Sequence, residues 1–315
     1  VRKKIKMNKV NDTKTFAQGY DEFIIYCKAR NLSPATIKHY DGSIIVWYKF
    51  FDYKTPIKDI TRETVQNFIL FMQKKMNEND VTMNTNLRSM RAILYYFMKL
   101  GYMEEFKISE LKVTKEPIDT YTDAELKILL EKPNIKKCSF VEYRNWVIVN
   151  FLMATGARVK TIANLKIEDL DFENDVMRYT HTKNRRGQIV PMSYNLKNIL
   201  IEYLQYRGAS SPEDYVFVSA YGGKLNTNTL SQNMCAYNRK RGVCKTGLHR
   251  YRHTFAKKWI LGGGDVFRLQ KMLGHSSMTI VKNYVNMFSN DLKKDFNTFN
   301  PLENLINKKQ HIKMR

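Results

Sequence analysis

Phe16, Tyr20, Phe23, Ile24 and Cys27 recur at intervals of one helical turn, which puts their side chains on one face of an α-helix. The same periodicity returns three more times before residue 103. The second helix opens at Ser33-Pro34, a hydroxyl N-cap followed by proline at a position whose missing N–H has no helical partner anyway, and it carries Ile37, Tyr40, Ile44, Trp47 and Tyr48. A third begins near Thr61-Arg62-Glu63-Thr64, with Val65, Phe68, Ile69 and Met72 apolar. The fourth is predicted from Asn84 to Leu100, stopped by Gly101. No alternating strand pattern interrupts this region, and its polar positions include Lys38, His39, Lys74, Lys75, Arg88 and Arg91.

From Leu111 to Tyr121 the periodicity lapses among charges and Pro117, which predicts a linker. A helix then starts at Thr122-Asp123. Phe140 to Ala154 is strongly apolar, which suggests a buried helix, and it runs into Thr155-Gly156, a glycine stop with Arg158 just beyond it. Between Ile167 and Met192 the short runs Leu170–Phe172, Val176–Thr180 and Gln188–Met192 are separated by turn-like segments, Glu173-Asn174-Asp175 and Lys183 to Gly187, predicting a small antiparallel sheet. Helical patterns follow at Tyr194–Tyr206, Thr227–Arg241, Leu248–Leu261, Val266–Leu273 and Met278–Met287. The expected fold is mainly α with one small antiparallel β-sheet.

A chain of 315 residues is long enough for two domains. With 53 Lys and Arg against 30 Asp and Glu, its formal net charge of +23 calls for a polyanionic partner. Nucleic acid fits better than a membrane, because no apolar stretch reaches spanning length and no segment pairs a basic face with a lipid-seeking one. The basic start, Val1 to Lys6, has no apolar continuation of the kind a secretory signal needs. Cys27, Cys138, Cys235 and Cys244 form no CxxC pair, so reduced thiols in a bacterial-type cytoplasm are expected and no metal site is indicated.

The candidate chemistry lies in four places. Arg158 follows the glycine turn. His249 and Arg252 are three apart, on one face of a helix, and could converge on one phosphate. His275 stands between Gly274 and the Ser276-Ser277 cap of the next helix. Tyr284 lies nine positions beyond His275, near the end of a short helix. Singly, each has an ordinary alternative: a surface arginine, a solvated basic helix, a structural histidine, one tyrosine among 19.

Jointly, the order arginine, hairpin lysine, HxxR, GH and tyrosine resembles the tyrosine recombinase family, the lambda-integrase-like site-specific recombinases. The match comprises Thr155-Gly156-Ala157-Arg158, Lys183 seven residues before Val190-Pro191, His249 with Arg252, His275 and Tyr284. Asn31-Leu32-Ser33-Pro34-Ala35-Thr36 is similar to the family's usual entry into its second helix. One position departs: three residues after the first arginine the family often has an acid, and here Thr161 stands, leaving Arg158 without that carboxylate.

The resemblance implies a basic segment 1–14, a helical core-binding domain over 15–110, a linker over 111–121, a catalytic domain over 122–290 and a tail over 291–315. It implies cleavage and rejoining of double-stranded DNA at specific sites through a 3′-phosphotyrosyl bond to Tyr284. Arg158, Arg252 and His275 would then hold the phosphate, His249 would act as base and Lys183 as acid. No ATP, metal or other cofactor is needed, because the covalent link conserves the energy of the broken bond. Lys38, Arg88, Arg91, Arg185, Arg186, Arg239, Lys240, Arg241 and Lys245 are candidate phosphate contacts. The tail's Leu292, Phe296, Phe299, Leu302, Leu305 and Ile306 would pack on the parent domain or dock on a neighbour in a tetramer, with accessory factors as further partners and the nucleoid as the place of work. With so short an N-terminal segment, recognition of core sites alone is expected. A type IB topoisomerase and a catalytically weak DNA-binding regulator of the same fold remain as alternatives.

Overall fold

The computed structural model describes residues 14–113, 119–180 and 187–274. The chain forms two compact units, meeting in sequence at Lys115 and Glu116.

The first unit holds helices α1 (Phe16–Ala29), α2 (Pro34–Tyr48), α3 (Arg62–Lys74) and α4 (Asp80–Lys99). Side chains supply the starts: Thr15 caps α1 while Gln18 reaches back to its backbone N–H, Ser33 caps α2, and Thr61 caps α3. Their apolar faces close around Trp47, whose ring lies 5.6 Å from Phe16, 5.1 Å from Phe51 and 4.8 Å from Phe68. Helix α4 begins four residues earlier than the apolar pattern predicts. Asn79 accepts a hydrogen bond from the Thr82 amide at 2.9 Å, and the first turn leaves Val81 exposed, so it carries no apolar stripe to read.

The second unit is built on α6 (Phe140–Thr155), which buries Trp146, Val147, Ile148, Val149, Phe151 and Leu152. Around it stand α5 (Asp123–Leu130), α8 (Tyr194–Arg207), α9 (Thr227–Lys240) and α10 (Leu248–Leu261), followed by α11 (Val266–Leu273). A short helix, α7 (Val159–Asn164), was not legible in the sequence, because six residues are too few to display a period. The expected sheet is present: β1 (Leu170–Asp171), β2 (Val176–Tyr179) and β3 (Gln188–Pro191), antiparallel in that order. Met177 and Val190 face each other across β2 and β3 and are both fully buried, so this face covers the core. Tyr179, the last residue of β2, pairs with Gln188, the first of β3, at the end of the pair where the chain passes from one strand to the other.

The start of this unit is tied to α10. The Tyr121 amide donates to Thr254 Oγ1 at 3.0 Å, and the Tyr121 ring lies 4.5 Å from that of Tyr251. Arg250 pairs with Asp119, and Lys258 with Asp123.

Candidate active site

Two helix C-termini meet at the candidate site. Helix α6 ends at Gly156 and α11 at Gly274, both in the left-handed conformation, with φ of 62° and 59°. At Gly156 even alanine would be out of place. Its β-carbon would lie 2.5 Å from the Phe255 ring and 2.7 Å from Leu273 Cδ2, because α10 and α11 pack directly on the turn. Thr155 fixes the turn from inside, donating to the Phe151 carbonyl at 2.7 Å and accepting from the Ala157 amide at 3.2 Å.

The converging carbonyls are met by guanidinium groups. Arg252, buried on α10, donates to the Gly156 carbonyl at 2.8 Å and to the Leu273 carbonyl at 2.6 Å, bridging the two helix ends. Arg158, in extended conformation at the start of α7, donates to the Gly274 carbonyl at 3.4 Å. The negative ends of two helix dipoles thus lie beside the two arginines, an arrangement that offsets the cost of burying Arg252. It also bears on the missing acid at position 161: a backbone carbonyl accepts from Arg158.

A third side chain reaches the same place. Gln188, the first residue of β3, donates from Nε2 to the carbonyl of Lys271 at 2.8 Å and to that of Met272. Its oxygen comes so close to Gly274 that a β-carbon there would lie 2.6 Å from it. Sequence reasoning missed Gln188, whose only signal was a polar residue opening a strand.

His249 lies exposed one turn before Arg252's successor, His253, on α10. Burial, followed by the positive neighbours His249, Arg252 and Arg250, pushes His253 down to about 4, so it is neutral at physiological pH. Lys183, Arg185, Arg186, His275, Tyr284 and the tail 291–315 lie outside the described residues.

The other basic candidates divide by what already holds them. Lys38 and Arg239 are exposed on α2 and α9. Arg88 and Arg91 share Glu110 at 2.7 and 3.0 Å, and Lys240 meets Glu142 at 2.7 Å. Such surface pairs contribute little and can be exchanged for phosphate contacts. Lys245 is partly buried between Asp119 and Glu125, at 3.1 and 3.3 Å. Arg241 donates to the carbonyls of Ile128 at 2.9 Å and Glu131 at 2.8 Å, holding the end of α5, so a phosphate contact there would forfeit structure. No helix among the described residues is long and apolar enough to cross a membrane.

The mainly helical fold with its small antiparallel sheet is that of lambda-integrase-type proteins. A lambda integrase dimer bound to a COC′ core site superposes with a TM-score of 0.70, at 15% identity over 86% of this chain and 95% of that one. The Tn1549 transposon integrase in complex with a circular intermediate DNA gives 0.73, at 20% identity over 89% and 99%. Residues 120–290 match the model of the phage integrase family, and the chain belongs to that family, the tyrosine recombinases, a class of DNA strand-transfer enzymes. Among its curated relatives, tyrosine recombinase XerA of Pyrococcus furiosus is 29% identical over 91% of this chain and 95% of its own length. Transposase A from transposon Tn554 of Staphylococcus aureus is 26% identical over 93% and 92%.

Proposed function

We propose that the chain is a site-specific recombinase that cleaves and rejoins duplex DNA through a 3′-phosphotyrosyl intermediate on Tyr284. The observation that carries this reading is the fixing of Arg158 and Arg252 at the adjoining C-termini of α6 and α11, the second of which runs directly into His275. Attack on a phosphodiester builds charge on its non-bridging oxygens. Cations held beforehand by backbone carbonyls need little reorganisation to meet that charge. A planar fork that stays protonated suits the task better than an ammonium group.

In this reading His275 adds a hydrogen bond to the same phosphate. Tyr284, ordinarily protonated at neutral pH, attacks as His249 accepts its proton, and Lys183 gives a proton to the departing 5′ oxygen. Attack of a second 5′ hydroxyl on the tyrosyl ester reverses the chemistry and completes strand exchange. The first unit and the exposed cations grip the duplex, largely through phosphates. The lambda integrase is known as a dimer on a core site and as a tetramer on a Holliday junction. A tetramer of this chain, closed by the apolar tail, accounts for paired sites in the same way.

The test uses a duplex selected by the full chain from a random-sequence pool, nicked beside the scissile phosphate so that the short 5′ fragment diffuses away. The expected result is a denaturation-resistant protein–DNA adduct, abolished by Tyr284→Phe with binding unchanged. Tight binding without an adduct would mean a regulator. Relaxation of supercoils at concentrations where the chain is monomeric would point to a topoisomerase.

A further inference from the structure

The carbonyls in the last turn of a helix lack the amides of a following turn; in α11 the Gly274 amide donates to that of Lys271 at 3.1 Å. The carbonyls here are also met by side chains from three separate elements: Lys271 and Met272 by Gln188 of β3, Leu273 by Arg252 of α10, and Gly274 by Arg158 at the start of α7. The two arginines already have a role in the reaction proposed above. Gln188 has none, yet it is the only one of the three that reaches this turn from the strand that follows residues 181–186. Its two N–H groups must face the two carbonyls, because the amide oxygen in that place would be repelled by both; the oxygen is left against Gly274.

We infer that Gln188 is a positioning residue, one that holds the Lys271–Gly274 turn and so sets the path of the chain into His275. The inference rests on the recombinase reading. The turn cannot take another path without breaking two amide–carbonyl bonds, and position 274 cannot be widened because Gln188 fills the space over its α-carbon. The bonds join neutral groups, so Gln188 contributes direction where the arginines contribute charge. Misplacing a phosphate-binding group by about an ångström costs up to roughly a hundredfold in rate.

Three variants separate donation from shape. Gln188→Met keeps the length and removes the donors, Gln188→Glu keeps the shape and offers acceptors alone, and Gln188→Arg restores donors. Adduct formation is followed in single turnover on the nicked duplex at saturating protein, beside DNA affinity and thermal melting. Gln188→Met and Gln188→Glu are expected to slow the adduct by about ten- to a hundredfold with affinity within twofold, and Gln188→Arg to recover most of the rate. Wild-type rates in Gln188→Met, or losses that only track melting or affinity, overturn the inference.

A duplex with sulfur in place of the scissile 5′ oxygen divides two routes, since a leaving thiolate needs no proton. If Gln188→Met regains the wild-type rate on that duplex, the bond acts through Lys183 and the assignment to the turn is wrong. A loss that persists supports it. Amide hydrogen exchange over residues 269–276 tests the same point without catalysis: faster exchange in Gln188→Met is expected, and unchanged exchange overturns the proposal. A wild-type chain that forms no adduct sinks the recombinase reading alone, and the exchange result still decides whether Gln188 holds the turn.

Discussion

In the first unit the described interior is aromatic and aliphatic, centred on Trp47, Phe16, Phe68 and Phe97, and its buried polar side chains are Ser43, Asn84, Asn86 and Ser89. The second unit also has an apolar core, but it buries Arg144, Asn145, Thr155, Asp169, Asn238, Arg252 and Thr254 as well. Several of these hold elements far apart in sequence. Arg144 donates to the Val218 carbonyl at 2.6 Å, Arg252 joins α6 to α11, and Thr254 receives the Tyr121 amide. Volume is what most of the first interior requires, although Asn84 exchanges two bonds with the Leu111 backbone; the second requires more of its donors to keep their acceptors. On the function proposed above the difference follows from the tasks, since a unit that aims cations at one point cannot do so with non-directional packing.

The largest expected effect is therefore one of volume in the first unit. Trp47→Ala removes the side chain that lies against four other rings, those of Phe16, Phe50, Phe51 and Phe68, and should cost about 3–5 kcal/mol. Trp47→Phe should cost less than about 1.5 kcal/mol, because it keeps most of the apolar volume and discards an indole N–H that has no partner among the described residues. Urea unfolding of the full chain, followed by circular dichroism, measures both. Equal costs would mean that the interior depends on something more specific than volume.

The same contrast explains what could be read in advance. Repeated apolar positions disclose helices wherever one face is buried, so α1 to α3, α6 and the helices from α8 onward were legible with ends close to those found. The start of α4 was not, because its first turn is set by Asn79 and not by an apolar residue. Arg158 and Arg252 were found as a motif, yet their partners were not. Backbone carbonyls have no letter in a sequence: those of Gly156 and Leu273 accept from Arg252, and that of Gly274 accepts from Arg158, near which Thr161 supplies no carboxylate. Gln188 was invisible for the same reason, since its acceptors lie 83 and 84 residues away along the chain.

A pH experiment sharpens the contrast at its most charged point. His253 is held near 4 in the folded unit, against about 6.5 for an unperturbed histidine. Between those values the unfolded chain binds a proton that the folded chain refuses, so stability falls as pH drops from about 6.5 towards 4 and is unaffected above that range. The gap sets a ceiling of roughly 3 kcal/mol on the loss. Melting temperatures between pH 5 and 7, above the range in which the carboxylates titrate, should fall on acidification in the wild type and stay flatter in His253→Gln. Identical slopes would mean that burial among cations places no such demand on this histidine.

The smallest effects make the closest comparison, because one hydroxyl can be removed from each interior with little change of shape. Ser43 donates to Ser89 at 2.9 Å, and Ser89 in turn donates to the Thr85 carbonyl at 3.3 Å. Ser43→Ala thus leaves Ser89 with its own donation intact, and the cost should stay below about 1 kcal/mol. Thr254 donates to the Arg250 carbonyl at 2.8 Å and accepts from the Tyr121 amide. Thr254→Val leaves that buried amide with no acceptor on α10, at a cost of about 1–3 kcal/mol. It should also quicken hydrogen exchange at Tyr121, where no comparable change is expected at Ser89 or Thr85. If the two substitutions cost the same and Tyr121 exchanges no faster, the polar ties of the second unit are incidental to its packing. A larger loss at Thr254 would instead show that the helix carrying His249 and Arg252 depends on the segment leading into the unit.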